Sequence, residues 1–355
     1  MRIGERLKSA RNASGLSMRE LAEKVGISAQ AISKYERGIN VPSSDILIHL
    51  ARALGKKVEY FFRPIEIKLS VPQYRKLKSM PKKSEISMLG QVQDWLERYF
   101  ELEQLLPPER IPRFKIPQNL NTRIDKIDDV ERLAVDLRYA WQLGLDPIEN
   151  LIELLEDKGI KVGWVKGEAK FDACILLAND KLPVVVVKKD LPGDRQRFNL
   201  AHELGHLIMQ VNSVLDEEKV AHRFAGAFLV PAPIVQYELG SKRRNINLFE
   251  LHLLKHKYGL SMQAWVYRAK DLGIISPAIA TQIFRKFRVN RWHIKEPGDQ
   301  LPPETPTRFK RLILQTLQEE IISENRASEL LGKPISKLWE EVAQYHNGFP
   351  ANTGD

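Results

Sequence analysis

The segment Arg197–Phe198–Asn199–Leu200–Ala201–His202–Glu203–Leu204–Gly205–His206 constrains this chain more than any other. Ala201, Leu204, Ile208 and Val211 recur at helical spacing, so the segment reads as a helix with one buried side. Residues four apart on an α-helix share a face, so His202 and His206 can offer ring nitrogens to one ion. Glu203 falls beside them, where a carboxylate can take a proton from water activated by that ion. A solvated helix can carry two histidines for no chemical reason, so the flanks matter. A hydrolytic zinc site needs a third ligand, a neighbouring sheet and an open coordination position.

The chain has 355 residues, enough for two or three domains with real cores. With 43% hydrophobic and 28% charged residues it reads as soluble and globular. Its start, Met1–Arg2–Ile3–Gly4–Glu5–Arg6, has no signal-peptide pattern, and no apolar run is long enough to cross a bilayer. The single cysteine, Cys174, excludes an internal disulfide framework, and its apolar surroundings suit a structural thiol rather than a nucleophile. These features predict a cytoplasmic protein with no membrane partner. The net charge of +10 is uneven: residues 1–65 hold 12 Lys+Arg against 6 Asp+Glu. A basic N-terminal segment points to an anionic partner, most simply nucleic acid.

Within residues 1–65 the apolar spacing predicts short helices. Ile3, Leu7 and Ala10 mark the first. Ser17 and Glu20 form a capping box for the second, which Gly26 ends. Ser28 caps a third through Ile32, Tyr35 and Glu36, a fourth runs from Ile46 to Leu54, and a short fifth lies near Val58–Phe62. Two short helices joined by a tight Gly-containing turn make a helix-turn-helix. The phrase from Leu21 through Gly26–Ile27–Ser28 to Ile32–Ser33–Lys34–Tyr35–Glu36–Arg37–Gly38 resembles the lambda-repressor-like (Xre) DNA-binding family. The resemblance implies a double-stranded DNA operator as partner, with the helix near Ala29–Arg37 in the major groove. It implies base or backbone contacts from Ser28, Gln30, Ser33 and Lys34, with Gln30 suited to adenine. Arg19, Arg37 and Asn40 are then expected at phosphates or as braces. Glu36 reads as structural, a buried acid beside Arg37 or a backbone amide.

Residues 66–129 are broken by prolines around one helix, Ile86–Gln104, and read as a helical linker region. From residue 130 helices carry Leu133, Leu137 and Trp141, then Leu151, Leu154 and Leu155 from a start at Pro147. Ile160–Lys166, Phe171–Ala178 and Leu182–Val187 then read as strands of a small antiparallel sheet, with Asn179–Asp180–Lys181 as a turn. After the histidine helix, Asp216–Glu217–Glu218 opens another helix whose face is Ala221, Phe224, Ala225 and Phe228. The acids there can serve the helix dipole or reach the ion, and spacing alone does not choose between Glu217 and Glu218.

The motif around His202–Glu203–x–x–His206, the pattern Glu218–x–x–Ala221–x–x–Phe224–Ala225 and the ending Leu229–Val230–Pro231 resemble the ImmA/IrrE family of zinc metallopeptidases. Phe171–Asp172 and the segment from Ala134 to Gly159 fit the same family. The resemblance implies Zn²⁺ held by His202, His206 and Glu218, with Glu203 as catalytic general base. It leaves His222 as a positioning or transition-state residue. The sequence does not identify the group that stabilises the oxyanion; Arg223 and Tyr237 are the candidates considered. The expected fold is multidomain: an all-α helix-turn-helix head (1–65), the helical linker (66–129), an α+β zincin-like metallopeptidase domain (130–295) and a helical C-terminal module (296–355). Leu301–Pro306 reads as linker, residues 309–345 as a helical hairpin for packing or dimerisation, with a second DNA reader as the alternative, and the last residues as frayed. The expected function is a transcription regulator with a zinc endopeptidase that cleaves a partner regulatory protein, a repressor or toxin. The alternative is a transcription factor or antitoxin whose metal site only senses or scaffolds. A homodimer is compatible with either.

Overall fold

The structure, a computed structural model, describes residues 3–62, 67–70, 81–165 and 172–347. The expected strand ends at Lys166 and Phe171, and the terminal residues 348–355, lie outside them. Four helices open the chain: α1 (Ile3–Ala13), α2 (Met18–Val25), α3 (Ala29–Glu36) and α4 (Ser44–Ala53), followed by a 3-10 turn at Val58–Phe62. Ser17 and Glu20 make the reciprocal capping box, and Gly26 closes α2 in the left-handed conformation. Leu7, Leu21, Ile32, Leu50 and Phe61 form the core. Glu36 is buried, but its partner is Arg11 rather than Arg37. The Arg11 Nε and Nη2 donate to its two oxygens at 2.5 and 2.9 Å. The sequence placed the acid correctly and misjudged its partner, because the pairing spans 25 residues.

Strand β1 (Leu69–Ser70), helix α5 (Lys82–Gln104) and strand β2 (Arg123–Ile124) follow. Then come α6 (Asp129–Ala140), α7 (Leu151–Asp157), β3 (Lys161–Val165), β4 (Ala173–Ala178), β5 (Leu182–Lys188), α8 (Gly193–Ile208), β6 (Gln210–Val211) and α9 (Glu217–Leu229). Helix α7 starts at Asn150, whose side chain caps it, rather than at Pro147. The main sheet has the order β1-β4-β5-β3. It is mixed, not antiparallel: β4 pairs antiparallel with β5 and β1, while β3 runs parallel to β5. The β4–β5 connection is a hairpin turn with positive φ at Asn179 and Asp180, which matches the twist of the strands. β3, which follows α7, lies on the far side of β5 from β4 and runs parallel to β5. β2 and β6 form a second, two-residue parallel pair.

The remaining helices are α10 (Ala232–Leu239), α11 (Leu248–Tyr258), α12 (Met262–Asp271), α13 (Pro277–Val289), α14 (Arg308–Gln318), α15 (Glu324–Leu331) and α16 (Ile335–Asn347). The chain groups into two compact units. One contains Met1–Lys68, Leu89–Pro112 and Pro306–Asp355; the other contains Leu69–Met88 and Arg113–Thr305. In the first unit Tyr99, Leu102 and Leu106 of the segment around α5 share a core with Leu312, Ile313, Ala327 and Leu330. The stretch from Ser323 to Leu338 repeats part of the pattern from Ser17 to Ile32. A serine cap (Ser17, Ser323), a left-handed glycine (Gly26, Gly332) and a buried residue in the second helix (Ile32, Leu338) recur at matching positions. In the second unit one large core joins α6, the sheet and α7–α13.

Candidate metal centre

Helix α8 is buried on nearly every side, packed against β4, β5, α7 and α9. Its approach to α9 depends on Gly205, where an added Cβ would stand 2.9 Å from the Phe224 ring. Asp216 caps α9 by accepting from the Lys219 amide at 3.2 Å, and that backbone bond holds its carboxyl below the usual range. Val230 and Pro231 end the helix. The acids of its first turn therefore face the end of α8 that carries the histidines.

His202, His206 and Glu218 come together there, the one such trio of His, Cys, Asp and Glu side chains among the described residues. The Nε2 atoms of His202 and His206 are 3.1 Å apart. Glu218 Oε2 is 3.3 Å from His202 Nε2, and its Oε1 is 3.5 Å from His206 Nε2. Donors about 2.0–2.1 Å from a tetrahedral zinc ion stand about 3.3 Å from one another, so the spacing fits. The chemistry fits as well: two neutral imidazoles and one carboxylate are a usual catalytic zinc set. His202 and His206 are 7% and 5% exposed, whereas the Glu218 side chain is 60% exposed.

Glu217 has a separate place. Its Oε1 lies 3.1 Å from His206 Nδ1, the nitrogen turned away from the trio. A carboxylate there accepts a hydrogen bond from Nδ1–H and leaves Nε2 with its lone pair. Sequence reasoning treated the two acids as alternatives, and the geometry gives each a different nitrogen. Glu203, next to His202 on α8, is 2% exposed. His222 follows Glu218 by one turn and stacks edge-on against His202, with ring centroids 4.6 Å apart. Its Nδ1 is 2.6 Å from the Glu218 carbonyl, which can only accept, so Nδ1 carries the proton.

The two oxyanion candidates fare differently. Arg223 is spent on Glu131 and Asp271, at 2.5 and 3.2 Å, and its side chain is 9% exposed. Both carboxylates hold its guanidinium in that network. Tyr237 sits on α10 and is exposed.

In the head, Arg19, Ser28, Gln30, Arg37 and Asn40 are exposed, and Ser33 and Lys34 are half-buried. The Ser28 hydroxyl accepts from the Ala31 amide at 3.1 Å as the cap of α3. The Arg37 Nε donates to the Ser33 carbonyl at 3.3 Å. In the repeated motif, Ser336, Trp339 and Glu340 occupy the positions of Gln30, Ser33 and Lys34.

Comparison with known proteins matches two stretches of the chain. Residues 7–61 match the family model for the helix-turn-helix, and residues 169–270 match that for the IrrE N-terminal-like domain. An HTH-type transcriptional regulator of Rickettsia prowazekii is 41% identical over 64 residues, 18% of this chain and 49% of that protein. A transcriptional regulator in the ATPase CF(0) region of Rhodospirillum rubrum is also 41% identical over 64 residues, 18% of this chain and 59% of its own length. The HTH-type transcriptional regulator ImmR of Bacillus subtilis is 34% identical over 67 residues, 19% of this chain and 53% of that protein. The chain thus spans about half the length of the curated relatives it matches. No helix among the described residues is long and apolar enough to cross a membrane. The chain therefore joins an N-terminal segment that matches the helix-turn-helix model to a segment that matches the IrrE N-terminal-like domain.

Proposed function

We propose that this protein is a cytoplasmic, DNA-binding transcription regulator whose second domain is a zinc endopeptidase acting on a partner regulatory protein, a repressor or toxin. The observation that carries the reading is the triangle of His202, His206 and Glu218 donor atoms, 3.1–3.5 Å on each side, with buried Glu203 in the same helix.

His202 and His206 through Nε2, and Glu218 through its carboxylate, would hold Zn²⁺. When bound, that ion supplies Lewis acidity toward water and toward a peptide carbonyl. Glu217 keeps His206 in the ligating tautomer by accepting from Nδ1. Glu203 takes the proton of the attacking water and returns it to the leaving amine. His222 donates to the Glu218 carbonyl and packs its ring on His202, so it braces two members of the trio at once. In the head, α3 enters the major groove, Gln30 reads a base edge, and Arg19, Lys34, Arg37 and Asn40 supply backbone contacts.

The test pairs wild type with Glu203→Gln. Both are incubated with the regulators encoded beside the gene, with zinc content and operator affinity measured in parallel. Glu203→Gln should retain zinc and DNA binding and lose cleavage. Equal cleavage by both would sink the catalytic role. Operator binding that tracks zinc, with no proteolysis by wild type, would establish the metal as a sensor instead.

A further inference from the structure

The segment expected to be a linker, Leu301–Pro306, is bound through Leu301 and Glu304 along the start of the histidine helix α8. The Gly193 amide donates to the Leu301 carbonyl at 2.8 Å. The Gln196 side chain makes a reciprocal pair with the backbone of Glu304: its amide donates to the Glu304 carbonyl at 3.0 Å, and its oxygen accepts from the Glu304 amide at 2.7 Å. The Glu304 carboxylate pairs with Arg197 through one oxygen, and its other oxygen accepts from the Ile152 amide at 2.8 Å. Arg197 also donates to the Ile148 carbonyl at 2.6 Å. The contact is close enough that a Cβ on Gly193 would lie 2.2 Å from the Pro302 carbonyl oxygen.

A few residues earlier the same strap is fixed again. Lys255, fully buried, bridges Asp194 of α8 and Glu296 at 3.3 and 3.2 Å. Glu296 in turn accepts from the amides of Met262 and Gln263 at the start of α12, both at 3.0 Å. Asp194, Gln196 and Arg197 are at most 4% exposed. Gly193, Gln196 and Arg197 contact the strap directly and Asp194 reaches it through Lys255, and together these bonds hold the helix against rotation and sliding.

We infer that Glu304 is a positioning residue for the metal site, and that the functional domain extends to Thr305, beyond the 169–270 stretch its family model covers. The inference rests on the reading of His202 and His206 as metal ligands. Arg197 precedes His202 by five residues on α8, so the anchored first turns set where the two imidazoles stand. A donor triangle fitted to within tenths of an ångström tolerates little drift of its helix. Glu304 is suited to the task because it joins α8 to the start of α7 through one carboxylate. One residue past Thr305 the chain passes into the unit that contains the head.

The experiment uses the full chain. Glu304→Gln places an amide NH₂ against Arg197 or the Ile152 amide, so one of two bonds is lost with little change of shape. Ile283→Ala, a core substitution on α13, serves as a control for general destabilisation. Zinc affinity is measured by chelator competition at a temperature where circular dichroism shows all three proteins folded. Hydrogen–deuterium exchange of peptides spanning 193–208 is measured without metal. Glu304→Gln should weaken zinc binding tenfold or more and speed exchange through residues 193–206, while Ile283→Ala lowers the melting temperature and leaves both readouts near wild type. Wild-type zinc affinity and exchange in Glu304→Gln would overturn the inference, as would equal losses in the control. Faster exchange in Glu304→Gln alongside a wild type that takes up no zinc would uphold the positioning and refute the metal reading alone.

Discussion

Glu131 offers the sharpest test of what holds α9, and with it Glu218, in place. Its carboxylate on α6 receives Arg268 twice, at 2.5 and 2.9 Å, and Arg223 once at 2.5 Å. The two guanidinium side chains are 3% and 9% exposed. Glu131→Gln removes the charge they share and leaves Arg268 with the Val230 carbonyl and Arg223 with Asp271. Breaking one member of a buried ion network costs about 3–5 kcal/mol. For a unit of this size each kcal/mol moves the melting temperature by about 2–4 °C, so the drop should be roughly 10 °C at pH 7. The pH dependence gives a second check. Burial pushes the Glu131 carboxyl up, but Arg268 and Arg223 outweigh it and hold it below its ordinary value. A depressed folded-state pKa stabilises above the unfolded value of 4.5, and that stability is lost as pH falls through the folded-state pKa. The gap between wild type and variant should therefore be full at pH 7 and narrow below pH 4.5. Thermal melts by circular dichroism at several pH values would measure it. A variant melting within about 2 °C of wild type at pH 7, or a gap that widens on acidification, would refute the account.

Glu36→Gln should destabilise the head by about 3–5 kcal/mol by stranding Arg11, while Arg11→Met combined with Glu36→Leu should recover most of it, as read by urea denaturation. Gly205→Ala should cost about 1–3 kcal/mol through overpacking against Phe224 and weaken zinc uptake together with stability; calorimetry of both would show it. Zinc at a hundredfold excess over its dissociation constant should add about 2.7 kcal/mol to the stability of the second unit. Chelator should reverse the gain, and His206→Ala should abolish it.

The histidine helix α8 was legible because its signal is local. His202, Glu203 and His206 need only helical periodicity to become neighbours. Glu217 and Glu218 were not separable, since adjacent residues differ only in their rotation about α9, and that rotation is set by how α9 crosses α8 at Gly205. The two-residue strands β1, β2 and β6 are too short to carry any periodicity. The parallel placement of β3 was hidden for another reason: alternation of side chains does not reveal strand direction. Leu301–Pro306 reads as linker because its prolines speak only of the local backbone, whereas Glu304 finds its partners more than 100 residues away.

The trio is lopsided in a way that bears on kinetics. Two donors belong to a helix enclosed by the core, and the third sits in the opening turn of α9, mostly in solvent. Helix ends unwind far more readily than whole domains. An ion held here would escape by a brief fraying of that turn, with the protein otherwise intact. Its residence time would then follow the strength of the Asp216 cap rather than the melting point of the fold.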